Sequence, residues 1–412
     1  PYCKFRWLME ISGTEEWGLW PEQYNTPEDA ETYLTTLPVE EVERNLTFFA
    51  WVQWHAFNQW RKLRDCAQQL DVKLMGDIPI GISYSSADVF FEPEWFDLTL
   101  SGGSPPETVF KDDAFACQWG QNWGIPIYRW DVLEQNDFSW WRRRIEKLTD
   151  IFHIFRIDHI LGFYRIYSFP WRPRRNEEFV GLSDKQAKNI TGGPLPEFFP
   201  RSDDTDKNRA ANLADGDKYL KVIQDAAGDG EVVGEDLGCV PDYVRPNMED
   251  LGIAGFKVCH WEVRGHGETV PGSDYPECAF ATYATHDHES IPAMWNTLKG
   301  MLGGHDHDGA IRGLELLSDF AGLPKGGSAD CYADYGPVVK WALFDRLLKS
   351  NADYASLMIT DIIDSTERIN IPGTVGGKNW RFRLPWKLED MPETIQGECS
   401  RLRELIHISK RG

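Results

Sequence analysis

The chain has 412 residues, with 43 Lys and Arg against 65 Asp and Glu, and its formal net charge is −22. Hydrophobic residues make up 42% of the sequence, which excludes a wholly disordered chain. The acidic balance argues against nucleic acid and anionic membranes as partners, because Lys and Arg are the residues that bind polyanions. A neutral ligand fits this charge better.

The sequence predicts a cytoplasmic protein without a membrane anchor. No apolar run reaches the roughly 18 residues that a spanning helix requires, and the N-terminus does not resemble a secretory signal. The eight cysteines are scattered and form no CxxC pair, a pattern typical of reduced thiols.

An aromatic stripe of five residues is the first strong pattern along the chain: Phe48, Trp51, Trp54, Phe57 and Trp60. Their spacing is close to helical, which predicts a long helix with a buried apolar face. We expect residues 1–47, which precede it, to form a helical or irregular N-terminal segment, and residues 48–412 to form the catalytic domain.

Six short β-rich runs then alternate with helical stretches such as 140–150 and 337–349. The runs cover residues 72–80, 152–158, 231–235, 255–260, 280–285 and 357–362. Repeated strand–helix–strand order predicts an α/β fold with a parallel sheet, and six such units indicate a partial (β/α)8 TIM-type barrel. The connections 81–137 and 165–218 are too long for plain barrel loops, so we expect insert subdomains there.

Acidic residues stand at the ends of three predicted strands. Arg156 and Asp158 are two residues apart and share a strand face, so the arginine should keep the aspartate ionised. Glu235 ends the third run, Asp287 lies two residues after the fifth, and Asp77 lies within the first. Each acid alone could equally cap a helix or pair with a lysine. In a barrel, however, the carboxyl ends of all the strands meet at one face, so these acids would lie together there.

Paired carboxylates suit glycoside chemistry, in which one attacks the anomeric carbon and the other transfers a proton. Three rival interpretations stay open. These are an α-glucan hydrolase with the same acids, a barrel enzyme that binds Mg²⁺ through Asp158, Glu235 and Asp287, and a non-catalytic glucan-binding protein.

No cofactor or metal is predicted. Gly376-Gly377-Lys378 lacks the spacing of a phosphate-binding loop. The run His305-Asp306-His307-Asp308 could suggest a metal site, but glycines flank it and a solvated turn is the favoured interpretation.

Several motifs together resemble glycoside hydrolase family 77, the 4-α-glucanotransferases or amylomaltases, from about Phe48 to about Leu384. The matching stretches are Gly76-Asp77-Ile78-Pro79-Ile80, Pro93-Glu94-Trp95-Phe96, Gly120-Gln121-Asn122-Trp123-Gly124, Pro126-Ile127-Tyr128-Arg129-Trp130, residues 155–162, Gly234-Glu235-Asp236-Leu237-Gly238, Thr285-His286-Asp287, Asn370-Ile371-Pro372-Gly373 and Asn379-Trp380. The amino-acid sequence of residues 160–166 and 240–246 most resembles that of the plant-cytosolic type and its bacterial relatives.

The resemblance implies a retaining transfer of α-1,4-glucan segments or glucosyl units from a malto-oligosaccharide donor to the 4-hydroxyl of a glucose or glucan acceptor. Asp158 would be the nucleophile, Glu235 the general acid/base and Asp287 the stabiliser of the transition state. Six further residues would bind substrate or orient the nucleophile: Arg156 beside Asp158, Asp77 and His286 at the cleaved end, Gln121 and Trp123 on the acceptor side, and Asn370.

The sequence departs from the family in three places. The usual Pro-Pro-Asp-Tyr-Phe loop reads Pro105-Pro106-Glu107-Thr108-Val109-Phe110, which affects the expected acceptor preference. The gap between Asp158 and Glu235 is longer than in compact bacterial members, which suggests an added loop. The family's opening barrel strands have no counterpart before Phe48, so we expect an N-terminally truncated chain.

Overall fold

Two compact units make up the chain, Pro1–Leu251 and Gly252–Gly412. A computed structural model describes residues 1–107, 113–326, 328–374 and 376–411. Of the departing loop, Thr108, Val109 and Phe110 lie outside the described residues. None of the helices within the described ranges is long and apolar enough to cross a membrane.

Helices dominate the start of the first unit, and strands alternate with helices in the rest. Its elements are α1 (Tyr2–Ser12), α2 (Pro27–Thr36), α3 (Val39–Gln69), β1 (Met75–Pro79), α4 (Ala87–Phe91), β2 (Phe96–Ser104), α5 (Ala114–Trp119), β3 (Gln121–Tyr128), α6 (Trp130–Gln135), α7 (Ser139–Thr149), β4 (Ile154–Asp158), β5 (Ile166–Phe169), α8 (Asp184–Thr191), β6 (Glu197–Phe199), α9 (Asp206–Ala227), β7 (Glu231–Gly234) and α10 (Val244–Asp250).

The N-terminal helices pack around a core of their own, which includes Phe5, Leu8 and Trp20. Phe49 of α3 and Phe90 of α4 belong to the same core. The predicted boundary between residues 47 and 48 lies inside α3, and this core contains residues from both sides of it.

The aromatic stripe is on α3 as predicted, but the prediction that it is buried is wrong. Trp51 and Trp54 are 55% and 60% exposed, and Phe48 and Trp60 are exposed as well. The two tryptophans flank His55, with ring centroids 4.3 and 5.0 Å from the imidazole. Helical spacing of aromatic residues shows that a helix has an apolar face, but it does not show that another element covers that face.

Three parallel strands of the first unit lie side by side in the order β1-β4-β7. Their register pairs Asp77 with Arg156, and Ile157 with Gly234. These strands match three of the predicted runs to within a few residues. The carboxyl ends of parallel strands meet at one edge of a sheet, and the predicted acids Asp158 and Glu235 lie at or just beyond that edge.

The two long connections contain a four-stranded antiparallel sheet, in the order β3-β2-β5-β6, that the sequence analysis did not predict. Gly103 in β2 is opposite Asn122 in β3, and a Cβ at Gly103 would lie 1.8 Å from the main-chain oxygen of Gln121. Glycine at this position allows the close approach of the two strands. Gln121 and Trp123 belong to β3, so they lie on a strand and not on a loop.

The second unit repeats the strand–helix pattern. Its elements are β8 (Ala254–Val258), β9 (Ala279–Thr282), α11 (Ile291–Met301), α12 (His307–Ala321), α13 (Pro337–Leu348), β10 (Tyr354–Ser356), α14 (Ile359–Ile362), α15 (Met391–Thr394) and α16 (Gln396–Ile408). The strands are parallel in the order β8-β9-β10. Trp295, Leu314 and Phe344 are fully buried in its core.

The sixth predicted strand is displaced. Residues 354–356 form β10, whereas most of the predicted 357–362 run belongs to α14. The Asp361 side chain accepts a hydrogen bond from the Met358 amide at 3.2 Å, which caps this short helix. The β-branched residues of this run resembled a strand, but the local cap favours a helical turn.

The run His305-Asp306-His307-Asp308 leads into α12, which begins at His307. The Nδ1 atom of His307 lies 2.6 Å from the main-chain oxygen of Leu302. Within the described ranges, no group of three or more His, Cys, Asp or Glu side chains is arranged to hold a metal ion.

Candidate active site

Arg156 is the centre of a charged cluster on β1 and β4, in which Asp158 is the last residue of β4. Its Nη1 donates to both carboxylate oxygens of Asp77, at 2.7 and 2.8 Å, and its Nη2 lies 2.7 Å from Oδ1 of Asp158. The arginine side chain is buried, while both aspartates are partly exposed. Burial lowers the pKa of Arg156, but the charges of Asp158 and Asp77 outweigh it and raise the pKa.

One planar guanidinium therefore fixes two carboxylates at once, and this limits the rotamers that Asp158 can adopt. The strands explain the geometry. Asp77 and Arg156 are register partners on neighbouring strands, and Arg156 and Asp158 lie on the same face of β4 because they are two residues apart.

Glu235 follows β7 directly and is only 9% exposed. Its two carboxyl oxygens accept hydrogen bonds from the backbone amides of His159, at 2.8 Å, and Leu237, at 2.9 Å. Burial, and next the negative charge of Asp158, raise the pKa of Glu235 to about 7, although Arg156 and the two amides act in the opposite direction. A carboxyl group that titrates near neutrality can both give and take a proton.

His159 was not singled out in the sequence analysis, yet it links the predicted residues. Its backbone has a left-handed conformation with φ of 50°, which directs its amide to Glu235. Its imidazole meets the Trp123 ring edge-on, with centroids 4.7 Å apart, and burial lowers the pKa of His159 to about 4. Trp123 in turn donates from Nε1 to Gln121 Oε1 at 3.1 Å.

The second unit contains the other predicted site residues: His286 and Asp287 follow β9, and Asn370 lies on the segment after α14. Asn370 donates from Nδ2 to Asp287 Oδ1 at 2.6 Å, and its backbone amide donates to the His286 oxygen at 3.1 Å. The Nε2 of His286 lies 3.4 Å from Asp287 Oδ2. His286, Asp287 and Asn370 thus form one hydrogen-bonded group.

Exposed indole rings lie next to the histidines that follow β9. The Trp380 ring is 4.9 Å from the His286 ring, and the Trp261 ring meets His288 edge-on at 5.0 Å. Exposed tryptophans beside polar side chains suit sugar binding, since C–H faces can stack on indole rings. Neither tryptophan belongs to a periodic pattern, so the sequence predicts only a motif position for Trp380 and no role for Trp261.

The predicted residues therefore divide between the two units. Asp77, Gln121, Trp123, Arg156, Asp158 and Glu235 belong to the first, and His286, Asp287 and Asn370 to the second. Within each unit they are connected by direct contacts or through His159. A buried carboxyl with a raised pKa beside an ion-paired aspartate is typical of the carboxylate pairs that act on glycosidic bonds.

Comparison with known proteins agrees with this class of site. The family model described as 4-alpha-glucanotransferase, glycoside hydrolase family 77, matches residues 1–389. The chain belongs to this family of enzymes. The match begins at residue 1, so the resemblance extends further towards the N-terminus than the motifs predicted.

Individual relatives give the same result. The chain is 29% identical to the 4-alpha-glucanotransferase of Thermus thermophilus over 100% of this chain and 72% of that protein. It is 26% identical to the Chlamydia pneumoniae enzyme of that name, over 95% and 66%, and 28% identical to the chloroplastic/amyloplastic enzyme of Oryza sativa, over 86% and 51%. The chain thus spans from about half to under three quarters of these relatives. The plant relative is plastidial, which gives no support to the plant-cytosolic subtype.

A solved structure shares the fold. The amylomaltase from Streptococcus agalactiae in complex with acarbose superposes with a TM-score of 0.72, at 22% identity, over 100% of this chain and 72% of that one. The strand–helix alternation of both units fits the α/β barrel-like fold of this neighbour.

Proposed function

We propose that the chain transfers α-1,4-glucan segments or glucosyl units from a malto-oligosaccharide donor to the 4-hydroxyl of a glucose or glucan acceptor. The single observation that supports this best is Glu235, a buried acid with a pKa near 7 beside the Arg156–Asp158 ion pair. We also propose that the strand–helix repeat is of the (β/α)8 barrel type.

In the first step, protonated Glu235 donates its proton to the leaving 4-oxygen of the donor while Asp158 attacks the anomeric carbon. The bond to the leaving group breaks, and a covalent glycosyl ester forms on Asp158. Arg156 holds the attacking carboxylate in place and is itself immobilised by Asp77. The proton and the leaving group depart together, so no cofactor is needed.

In the second step, ionised Glu235 removes the proton from the 4-hydroxyl of the acceptor, and that oxygen attacks the ester carbon. Two inversions restore the α configuration. Asp287, fixed by Asn370 and His286, stabilises the positive charge that develops on the sugar. Asp77, His286 and Asn370 bind the sugar at the cleaved end.

Transfer in place of hydrolysis requires that an acceptor sugar, and not water, reaches the ester. Trp123 and Gln121 are proposed to bind this acceptor. They are joined to each other, and Trp123 contacts His159, the residue that follows the nucleophile. An acceptor stacked on Trp123 would exclude water from the ester.

Incubation with maltotriose and separation of the products by chain length test this function. The wild-type chain should give glucose together with glucans longer than maltotriose. Asp158→Asn should give none of these products, whereas Asp225→Asn, an exposed aspartate of α9, should match the wild type.

The rival interpretations predict different products. Glucose and maltose without longer glucans would identify a hydrolase. Activity that EDTA abolishes and Mg²⁺ restores would favour metal-dependent chemistry. Glucan binding without any product would indicate a binding protein, and each of these three results would contradict the proposal.

A further inference from the structure

The loop that contains Asp287 is held by Arg368, a residue of the second unit that is not among the predicted site residues. Arg368 donates from Nη2 to the main-chain oxygen of Asp287 at 2.6 Å. Its Nε donates to the main-chain oxygen of Asn370 at 3.1 Å. One guanidinium therefore joins the backbone of the acid to the backbone of its hydrogen-bonding partner.

This arrangement fixes Asp287 in two ways. The bond to the Asp287 oxygen sets the backbone from which the carboxylate projects. The bond to the main-chain oxygen of Asn370 fixes the backbone of that residue. The side-chain amide of Asn370 in turn donates to Asp287 Oδ1 at 2.6 Å. Because the nitrogens of a guanidinium lie in one rigid plane, the two carbonyls are held at a fixed separation.

We propose that Arg368 is a positioning residue that aligns Asp287 with the reacting sugar. The proposal rests on the function proposed above. Arg368 acts through Asp287 and Asn370, and no contact of its own with the substrate is required. Its loss should therefore lower kcat more than it changes the KM for the donor, since stabilisation of the transition state is what misalignment of Asp287 reduces.

The same loop has a second attachment that does not depend on Arg368. Ser290 donates from Oγ to the Ser365 oxygen at 2.7 Å, and the Ile291 amide donates to Asp361 Oδ1 at 2.7 Å. Asp361 and Ser290 are buried, whereas Arg368 is only partly buried. We therefore expect Arg368 variants to fold.

The experiment compares Arg368→Ala and Arg368→Lys with Arg401→Ala, which removes an exposed arginine that pairs with Glu404 on α16. Arg368→Ala should lower kcat for maltotriose disproportionation by roughly 10- to 100-fold, the range expected for misplacement of a catalytic group by up to an ångström. The donor KM and the thermal midpoint should stay close to the wild-type values. Added guanidinium ion should restore part of the activity of Arg368→Ala and should not affect Arg401→Ala.

Wild-type kcat in Arg368→Ala would overturn the proposal. If Arg368→Ala unfolds at the assay temperature, the kcat of the folded Arg368→Lys protein tests the proposal instead. Lysine retains the positive charge but cannot bond to both carbonyls. Reduced kcat in Arg368→Lys supports the proposal and full activity overturns it.

A readout independent of turnover separates this proposal from the proposed function. The ¹³C resonance of the Asp287 side-chain carboxyl should shift in Arg368→Ala and not in Arg401→Ala. An inactive wild-type chain with this shift would contradict the function alone. An active wild-type chain without the shift would contradict the positioning role.

Discussion

Glu235 should make the stability of the protein depend on pH. Its pKa is raised from 4.5 to about 7 in the folded chain, mainly by burial. The stabilising contribution of the protonated form is therefore fully present below pH 4.5 and is lost as the pH rises through 7. The difference corresponds to on the order of 3 kcal/mol at alkaline pH.

Glu235→Gln should abolish activity, because glutamine cannot transfer a proton. Glutamine also does not ionise, so the free energy of unfolding of this variant should fall less than that of the wild type between pH 5 and pH 8. Urea unfolding of both proteins at these two pH values measures the difference. Glu249→Gln, which changes an exposed glutamate of α10, is the control and should follow the wild type. A Gln variant that loses as much stability as the wild type would contradict the pKa of Glu235.

Arg156 supports a second prediction at this scale. Lysine has one compact ammonium group and cannot reproduce the three short contacts of Arg156 with Asp77 and Asp158. Arg156→Lys should lower kcat by about 10²-fold, because the nucleophile is no longer oriented. Arg143→Lys, at an exposed pair with Glu92, should change kcat little. Equal rates for both variants would show that orientation by Arg156 is unimportant.

Sequence spacing predicts which side chains share a strand face, but it does not predict a pKa that depends on burial. The spacing of Arg156 and Asp158 determines their shared face, so that pair could be predicted. The pKa of Glu235 depends on burial and on Asp158, a residue distant in sequence. His159 and Arg368 act through backbone groups, which leave no pattern in the sequence.

At the scale of elements, tryptophans of similar sequence context differ sharply in environment. Trp141 of α7 is 2% exposed and contacts the rings of Tyr128, Trp130 and Phe163. Trp51 of α3 is 55% exposed. Trp141→Ala should cost about 3–5 kcal/mol of the free energy of unfolding, whereas Trp51→Ala should cost less than about 1 kcal/mol.

Chemical denaturation of the two variants measures both values. Similar losses for the two would show that α3 packs against other residues in solution. Fluorescence offers a second check: exposed Trp51 is one of several exposed tryptophans, so Trp51→Ala should reduce the long-wavelength emission and Trp141→Ala should not.

The elements were predicted unevenly for physical reasons. Parallel strands buried on both faces appear as short continuous apolar runs, and the buried strands β4 and β7 were found in this way. In β1, buried residues alternate with exposed ones, which is the pattern of a half-buried strand. The antiparallel strands β2 and β3 contain Gly102, Gly103 and Pro126, and their register shifts at the glycines. Such residues normally indicate turns and loops, so this sheet could not be predicted.

At the scale of the whole molecule, the net charge of −22 should have little influence on substrate binding. A neutral glucan gains nothing from long-range electrostatic steering. The KM for maltotriose should therefore change less than about twofold between roughly 0.05 and 0.5 M salt, a range over which surface charges become strongly screened. Initial rates at both ionic strengths measure this, and a steep salt dependence would indicate a charged ligand.

The most direct test of the central claim is to trap the glycosyl ester on Asp158. A maltosyl fluoride donor has a leaving group that needs no acid, so Glu235→Gln should form the ester but fail to pass it to an acceptor. Mass spectrometry of the digested protein should then find one maltosyl group on the peptide with Asp158, and none in the Glu235→Gln, Asp158→Asn double variant. A maltosyl group on another residue, or fluoride release without any adduct, would contradict the account.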